Sequence, residues 1–465
     1  IGDKLSNKLC NYYLSKLEDN PDLHDKVEFN ICFTCNTINL KKKLNILDAY
    51  NFSNNEIQEI NNKLIELTNN ILSPEHKRIE KEYQRLNKLE KYNKNIFKSS
   101  KFETDKIFEL SQILKKYGTL PFSNLARFAF IGKSILLSFV EEKILTNERF
   151  NEFMESIHTI SKDMSRDIYF YSKNEISLDT FLEKYGHLRP GTYDITSKRY
   201  DEDFNTYFSD NYINKIKSND HNINTNVFKL TESERKSINN SLRKSLFAKD
   251  INADNILHFI KTSTEAREYS KFVFSKTLSN ILKLINDFID IYNISNEEGA
   301  HLDFKIFNEI YSQLKLLPLK DIILENIKNN KKNYQINLKL NLPQVILNSN
   351  EIYEFEYINT KPTFISKKKI KTSTFIISDN LLNYDELENK IIIVSNADPG
   401  WEWLFSRNIS GLITCYGGMN SHMAIRCQEL SLPAVIGCGP EKYESYKKAN
   451  IIELDCVMEF IRVIN

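Results

Sequence analysis

What this 465-residue chain lacks narrows its class at once. It has almost no net charge: 63 lysines and arginines against 62 aspartates and glutamates leave +1. Nucleic-acid-binding proteins ordinarily show a strong basic excess, so that class is disfavoured. The short runs Lys41–Lys43 and Lys367–Lys369 read as solvated faces. Long apolar runs are missing as well. The most apolar stretch, Leu125 to Val140, is broken by Arg127 and Lys133 and falls short of the ~20 residues a bilayer requires, so it reads as a buried core helix. Seven cysteines do not make a disulfide framework in a chain of this length. Cys32-x-x-Cys35 has no second pair or histidine at zinc spacing. It lies in a run, Val27 to Thr34, that reads as a strand, where residues three apart face opposite sides; core thiols and no metal site are expected. There is no Gly-x-x-x-x-Gly-Lys-Ser/Thr loop, and Gly437-x-Gly439 alone is a weak signal. No fixed-period repeat and no signal-peptide pattern is read. With reduced thiols, this gives the expectation of a cytoplasmic protein with neither membrane nor nucleic-acid partners.

What is present is two kinds of periodicity. From Ile1 to about residue 335 apolar residues recur at helical spacing. Helices are expected over Leu5–Leu17, Asn55–Ile71, Glu75–Ile96, Lys101–Tyr117, Ser123–Glu142, Thr146–Ser172, Ser177–Tyr185, Thr231–Ala248, Asn252–Ile294 (as one or two) and Asn296–Leu316. Ile336–Leu340, Thr374–Ile377, Lys390–Ser395 and Ser410–Thr414 read as strands. The expected architecture is multidomain, α plus α/β: a large mainly helical domain over 1–335, a linker over 336–361, and a small α/β domain over 362–465, compact enough to swing as a unit.

The small domain holds the densest chemical pattern: Thr414-x-x-Gly417-Gly418-x-x-Ser421-His422-x-Ala424-Ile425-Arg426, then Leu432-Pro433-Ala434-Val435-Ile436-Gly437. The double glycine permits positive φ and close backbone approach, and Asn420 or Ser421 can cap the helix that follows. His422 then falls in the first turn, where unpaired N–H groups and the positive end of the helix dipole favour an anion. A neutral imidazole is a competent nucleophile toward phosphorus, and a phosphohistidine adds about two negative charges by analogy with other phospho-residues. The Thr414 and Ser421 hydroxyls can donate to such a phosphate, and Arg426, one turn on, can pair with it. Taken singly, a histidine at a helix start is ordinarily a cap or a surface residue; the whole string is far less ambiguous.

Two clusters stand out in the helical part. Tyr185-Gly186-His187-Leu188-Arg189-Pro190-Gly191 continues to Tyr193-Asp194 and to Lys198-Arg199-Tyr200-Asp201, gathering cations and carboxylates on a loop turned by Pro-Gly. An ion-paired structural loop is the alternative. Arg267 and Lys271 are four apart and share a helical face, which an anionic ligand or neighbouring carboxylates would relieve. Arg127 and Arg166-Asp167 are weaker candidates that salt bridges explain equally well.

The Thr414–Gly437 string resembles the phosphohistidine swivelling ("mobile") domain of the PEP-utilising enzymes, which include PEP synthase, pyruvate phosphate dikinase and rifampicin phosphotransferase. Asn396-Ala397-Asp398-Pro399-Gly400-Trp401 resembles the family's approach to that domain, Tyr185–Asp194 its Gly-His-x-x-Pro-Gly-x-Tyr-Asp segment, and Arg267–Lys271 its Arg-Glu-x-x-Lys runs. The chain departs from many members in having Gln428 where they have arginine. Leu5–Leu14, Asn20–Phe29 and Tyr185–Asp194 further resemble the PEP-synthase-like L-glutamine kinases of bacterial capsular phosphoramidate biosynthesis. The resemblance implies an ATP-grasp domain preceding Ile1 that binds ATP and Mg²⁺, and His422 as the phosphorylated residue. Thr414, Gly417, Gly418, Ser421 and Arg426 would support it. His187, Arg189, Asp194, Arg199, Arg267 and Lys271 would contact the acceptor, with L-glutamine the expected one. A PEP- or pyruvate-binding barrel of roughly 200 residues is not expected after His422, which disfavours those acceptors. A kinase of another small molecule, such as a rifamycin, and a non-catalytic phosphocarrier are the alternatives.

Overall fold

The computed structural model describes residues 1–24, 26–208, 213, 228–312, 318–340, 342–343, 345–346, 348–354, 362–377, 385–397, 399–418 and 421–464. Helices fill the chain as far as Asn337, and a sheet follows from Thr363. The longer helices before the sheet are α1 (Asp3–Asp19), α2 (Asn54–Leu72), α3 (Arg78–Phe97), α4 (Glu103–Leu114), α5 (Leu120–Glu141), α6 (Asn147–Glu155), α7 (Ile160–Ser172), α8 (Leu178–Tyr185), α9 (Glu232–Lys244), α10 (Ala253–Asp290), α11 (Lys305–Ser312) and α12 (Leu319–Asn337). Six of these starts are set by short polar side chains. Ser53 and Thr231 form capping boxes with Glu56 and Glu234, while Thr146, Thr159, Ser177 and Asn252 each accept a first-turn N–H.

The 38-residue α10 is the axis of the helical region. It buries a residue at nearly every third or fourth position, and α3, α4 and α5 pack along it. Gly132 of α5 lets the two backbones close up, since a Cβ there would lie 3.2 Å from Ile260. A π-helical turn, Lys115–Thr119, joins α4 to α5. The resulting rod, Glu103–Glu141, is long and apolar enough by composition to cross a membrane, and 50% of its most apolar window is buried inside the protein.

Several expectations are corrected. Val27–Thr34 is not a strand: Val27–Asn30 is a helical turn, and Phe33 donates its N–H to the Tyr13 hydroxyl of α1 at 3.1 Å instead of to a neighbouring strand. Cys35 is buried, Cys32 is half-buried, and the cysteines are free thiols. Ile336–Leu340 is not a strand either. α12 runs on to Asn337, and Ile336, Leu338 and Leu340 are exposed. Thr146–Ser172 breaks at Ser156 into α6 and α7, because Thr159 caps a new helix. Asn252–Ile294 is one helix that ends at Asp290. Asn296–Leu316 divides into Asn296–Gly299 and α11, and residues 313–317 lie outside the described residues, as do 355–361 of the expected linker.

The sheet has seven strands, β1 (Thr363–Ile365), β2 (Lys369–Ile376), β3 (Ile391–Val394), β4 (Gly411–Thr414), β5 (Ala434–Ile436), β6 (Ile451–Asp455) and β7 (Phe460–Ile464), in the order β1-β5-β4-β3-β2-β6-β7. The central four, β5-β4-β3-β2, are parallel, and antiparallel strands close both sides. Strands buried on both faces read as unbroken apolar runs, as Ile391–Val394 does. One face (Ile391, Ile393, Ile413, Val435) packs with Ile452, Leu454 and helix α14 (Pro440–Tyr446), the last reached through Tyr443 and Tyr446. The other face (Ile392, Val394, Leu412, Ile436) packs on Trp403, Leu404 and helix α13 (His422–Glu429). That second core continues into the helical region through Met164, Ile168, Phe181, Tyr185, Tyr200, Tyr207 and Phe208.

Candidate functional site

Three loops leave the carboxyl ends of adjacent parallel strands at one edge of the sheet: Ser395 onward from β3, Cys415–Ser421 from β4 and Gly437–Gly439 from β5. This is the edge at which open α/β sheets place their ligands. The β4 loop is pinned to its neighbours by backbone bonds, Cys415 N–H to the Val394 carbonyl at 3.1 Å and Tyr416 N–H to that of Ser395 at 2.9 Å. Gly417 has φ of 131°, and a Cβ there would meet that of Ala397 at 2.6 Å. Gly437, at φ of 72°, sits so close that its Cβ would lie 2.2 Å from the Gly417 carbonyl oxygen. Its N–H donates to the Thr414 hydroxyl oxygen at 3.0 Å, and Thr414 is fully buried.

Ser421 donates its N–H to the Gly418 carbonyl at 2.9 Å, and its Oγ accepts the Ala424 N–H at 3.3 Å, capping α13. His422 is thus the first helical residue. Met423, Ala424 and Cys427 are buried beneath the helix, which fixes its orientation on the sheet. Arg426 is buried as well, its guanidinium 5.5 Å from the centre of the Phe405 ring, whereas Gln428 is exposed. Asn420 and Asp398 lie outside the described residues. The arrangement joins Thr414, Gly417, Gly418, Ser421 and the start of α13 in one turn. Gly437, read from sequence as the end of the Leu432–Gly437 run and as half of a weak Gly-x-Gly, joins the turn through its closeness to Gly417.

The helical-region loop is built differently. Tyr200 N–H to the Leu188 carbonyl (2.9 Å) and Asp201 N–H to that of Gly186 (3.1 Å) draw its two arms together. Its cations turn inward. Arg199 holds Asp201 through two bonds, at 2.8 and 2.6 Å, and reaches Asn280 of α10 at 3.1 Å. Arg189, 2% exposed, donates to Ser279 (3.3 Å) and to the Asp194 carbonyl (3.1 Å), and burial lowers its guanidinium pKa to about 10. His187 is buried edge-on to Phe272, with ring centres 4.7 Å apart. Burial above all, then the charges of Lys276 and Arg199, hold its pKa well below the usual histidine value, so the ring is neutral. The Asp194 carboxylate is exposed and accepts from the N–H and hydroxyl of Thr196 at 2.9 and 2.8 Å, an Asx-type turn. These four residues come together, three of them as staples of the loop.

Arg267 and Lys271 lie on α10, and Lys271 directly precedes Phe272, against which His187 packs. Arg267 stands 5.5 Å from the Phe130 ring and 3.8 Å from Glu268. Burial above all, and then the charge of Arg267, pushes Lys133 of α5 down to about 8. Arg166 pairs with Asp163 at 2.8 Å and Asp167 at 3.4 Å, the salt-bridge reading, and Arg127 is exposed.

The two loops meet. The Tyr200 hydroxyl donates to the Gly400 carbonyl at 3.0 Å, and Arg407 Nη2 donates to the Tyr207 carbonyl at 2.5 Å. Helix α13 lies against α6 of the helical region. Among the described residues, no group of three His, Cys, Asp or Glu side chains could hold a metal ion.

Residues 386–458, the span of this turn, match the family model for the mobile domain of the PEP-utilising enzymes. The chain is similar to the rifampicin phosphotransferase of Bacillus subtilis, 27% identical over 285 residues, which are 57% of this chain and 32% of that protein. That of Bacillus cereus is 25% identical over 56% of this chain and 31% of its own length. The phosphoenolpyruvate synthase of Escherichia coli is 33% identical over 66 residues, 14% of this chain and 8% of that protein. The matched part of the chain spans about a third of the rifampicin phosphotransferases.

Proposed function

We propose that this chain is the acceptor-binding and histidine-bearing portion of an ATP-dependent phosphotransferase, with His422 the phosphoryl carrier. The observation that supports it is the place of His422: first residue of a capped helix, behind a double-glycine turn at the carboxyl edge of parallel strands, inside the segment matched by the mobile-domain family model. In this reading the imidazole attacks the β-phosphorus of ATP held by an ATP-grasp domain, and AMP leaves with the electrons of the α–β bridging bond. Water takes the terminal phosphoryl group as inorganic phosphate. The remaining P–N bond then breaks as the acceptor nucleophile attacks phosphorus and gives up its proton. Mg²⁺ bound with the nucleotide would neutralise phosphate charge.

Within the helical region, Arg267 and the neighbouring Lys133 supply positive charge suited to the transferring phosphoryl group, and Lys271, one turn on from Arg267 along α10, is read as joining them. His187, Arg189 and Arg199 shape the loop that presents Asp194. The acceptor we propose is the amide nitrogen of L-glutamine, supported by the resemblance of Tyr185–Asp194 and the N-terminal segments to the glutamine kinases. A second reading, a rifamycin hydroxyl, is favoured by the named activity of the relatives that align with more than half of the chain.

Incubating the full-length protein with ATP and each acceptor, and following phosphorus by NMR, separates the two: a new P–N signal with AMP supports glutamine, and a P–O ester supports the rifamycin. A His422→Asn variant is expected to stay folded and to make no AMP, and sustained turnover by it would overturn the scheme. If the full reading frame encodes no nucleotide-binding region, the phosphocarrier alternative takes its place.

A further inference from the structure

The seam between the Pro399–Arg407 segment and the helical region has features that general packing does not require. Gly400 sits directly on the helical region: a Cβ there would lie 1.6 Å from the Arg189 carbonyl oxygen and 2.4 Å from the Pro190 Cα. Its φ is not in the left-handed region, so glycine is needed for closeness alone. On either side of this seat, side chains reach across to main-chain oxygens, Tyr200 to Gly400 and Arg407 to Tyr207. Tyr200 is fully buried and Arg407 nearly so. Apolar contact is non-directional and would tolerate sliding, whereas these bonds fix one register. The seat is also tied to the histidine turn, because Ala397, three residues before Gly400, is the residue on which Gly417 rests.

We propose that Gly400, with Tyr200 and Arg407, forms a catch that holds the sheet region on the helical region in one register, and that the Arg189–Pro190 backbone is its seat. The catch's use, to present phosphorylated His422 to the acceptor loop and then release it, rests on the phosphotransfer reading; its existence does not. The seam carries a built-in reporter, since the chain's two tryptophans, Trp401 and Trp403, lie in the segment that docks, and Trp403 stands 6.0 Å from the Tyr207 ring.

The test uses the full chain and two variants. Gly400→Ala is expected to shift tryptophan emission to the red. It should also raise hydrogen exchange in peptides covering 186–201 and 399–407 by about tenfold or more, with Ile391–Val394 and Gly411–Thr414 still protected. Tyr200→Phe removes one hydrogen bond and should raise exchange in the same two peptides by about fivefold. Parental exchange and emission in both variants would overturn the catch. So would a Tyr200→Phe effect spread equally over β3 and β4, which would make the seam an ordinary piece of one core. Labelling of the full-length protein with ATP radiolabelled in the β-phosphate is scored separately: no label on His422 removes the phosphotransfer reading and leaves the exchange result standing.

Discussion

The two loops that carry the candidate chemistry are held by different means. In the Gly417–Ser421 turn the backbone does the work: two glycines at positive φ nest against each other, and a buried threonine hydroxyl accepts one N–H. Among the described residues, the first turn of α13 is capped by the Ser421 side chain. In the Tyr185–Asp201 loop, side chains do the work. Arg199 is spent on a carboxylate and an amide, Arg189 on a carbonyl and a hydroxyl with its Nη2 buried and without a hydrogen-bond partner among the described residues, and His187 is neutral and enclosed. A turn built from backbone leaves its side chains for chemistry, whereas a loop built from side chains leaves little but its outline and its exposed members, here Asp194 and Tyr193.

The largest effect expected is on the backbone-held turn. Gly417→Ala puts a Cβ into strained φ space and against Ala397. It should cost about 4 kcal/mol of the sheet region's stability, read as a lower denaturant midpoint of tryptophan fluorescence. A loss under about 1 kcal/mol would mean the turn rearranges freely and that its glycines do not set the position of His422. Next is the side-chain-held loop. Arg199→Met leaves Asp201 without its two-bonded partner and Asn280 without its donor. About 3 kcal/mol should be lost, seen as faster exchange of the Tyr200 and Asp201 amides and earlier proteolysis within 186–201. If Arg199→Met instead left the loop intact and weakened acceptor binding alone, the contrast between the loops would fail and the arginine would belong to the binding site.

How much of this was legible in the sequence follows the same division. Several helix starts were readable because Ser53, Thr146, Ser177, Thr231 and Asn252 are cap residues whose effect is local, whereas the start that Thr159 caps was missed inside a longer periodic run. The buried strands β3 and β4 were readable as apolar runs. The Thr414–Ser421 turn was readable because each member acts through backbone geometry that residue type dictates. The destinations of Arg189, Arg199 and Arg426 were not, because a long cationic side chain goes wherever the fold puts an acceptor or a ring, and spacing does not encode that. Ile336–Leu340 was misread for a related reason: β-branched and apolar composition suits a strand only where a neighbouring strand exists to pair with it. Gly400 gave no local sign of its seat, since its partner lies some two hundred residues earlier.

His187 offers a smaller and pH-dependent test. Its pKa is depressed in the folded protein, so the unfolded chain binds the extra proton as pH falls below about 6.5. Stability therefore falls with falling pH from that point, by up to about 1.4 kcal/mol per pH unit, until the folded-state value is reached. The charges that face the ring, Lys276 of α10 and Arg199 of the loop, act in the same direction. Urea titrations at pH 7.5 and 5.5 should show this slope in the parent and a flatter one in His187→Gln. Equal slopes would place His187 in contact with solvent, and with it reopen the loop as a surface that meets ligand.

The smallest effect expected is the sharpest on the main point. Thr414→Val keeps the shape of a fully buried side chain and removes only the oxygen that accepts the Gly437 N–H. The backbone contacts of the turn, Cys438 N–H to the Thr414 carbonyl at 2.9 Å and the two glycines face to face, are untouched. The loss should be about 1 kcal/mol, chiefly the unsatisfied N–H, well below that of Gly417→Ala. If Thr414→Val proved the more damaging of the two, a side chain and not the chain's path would be what holds the turn. The two loops would then differ in degree only.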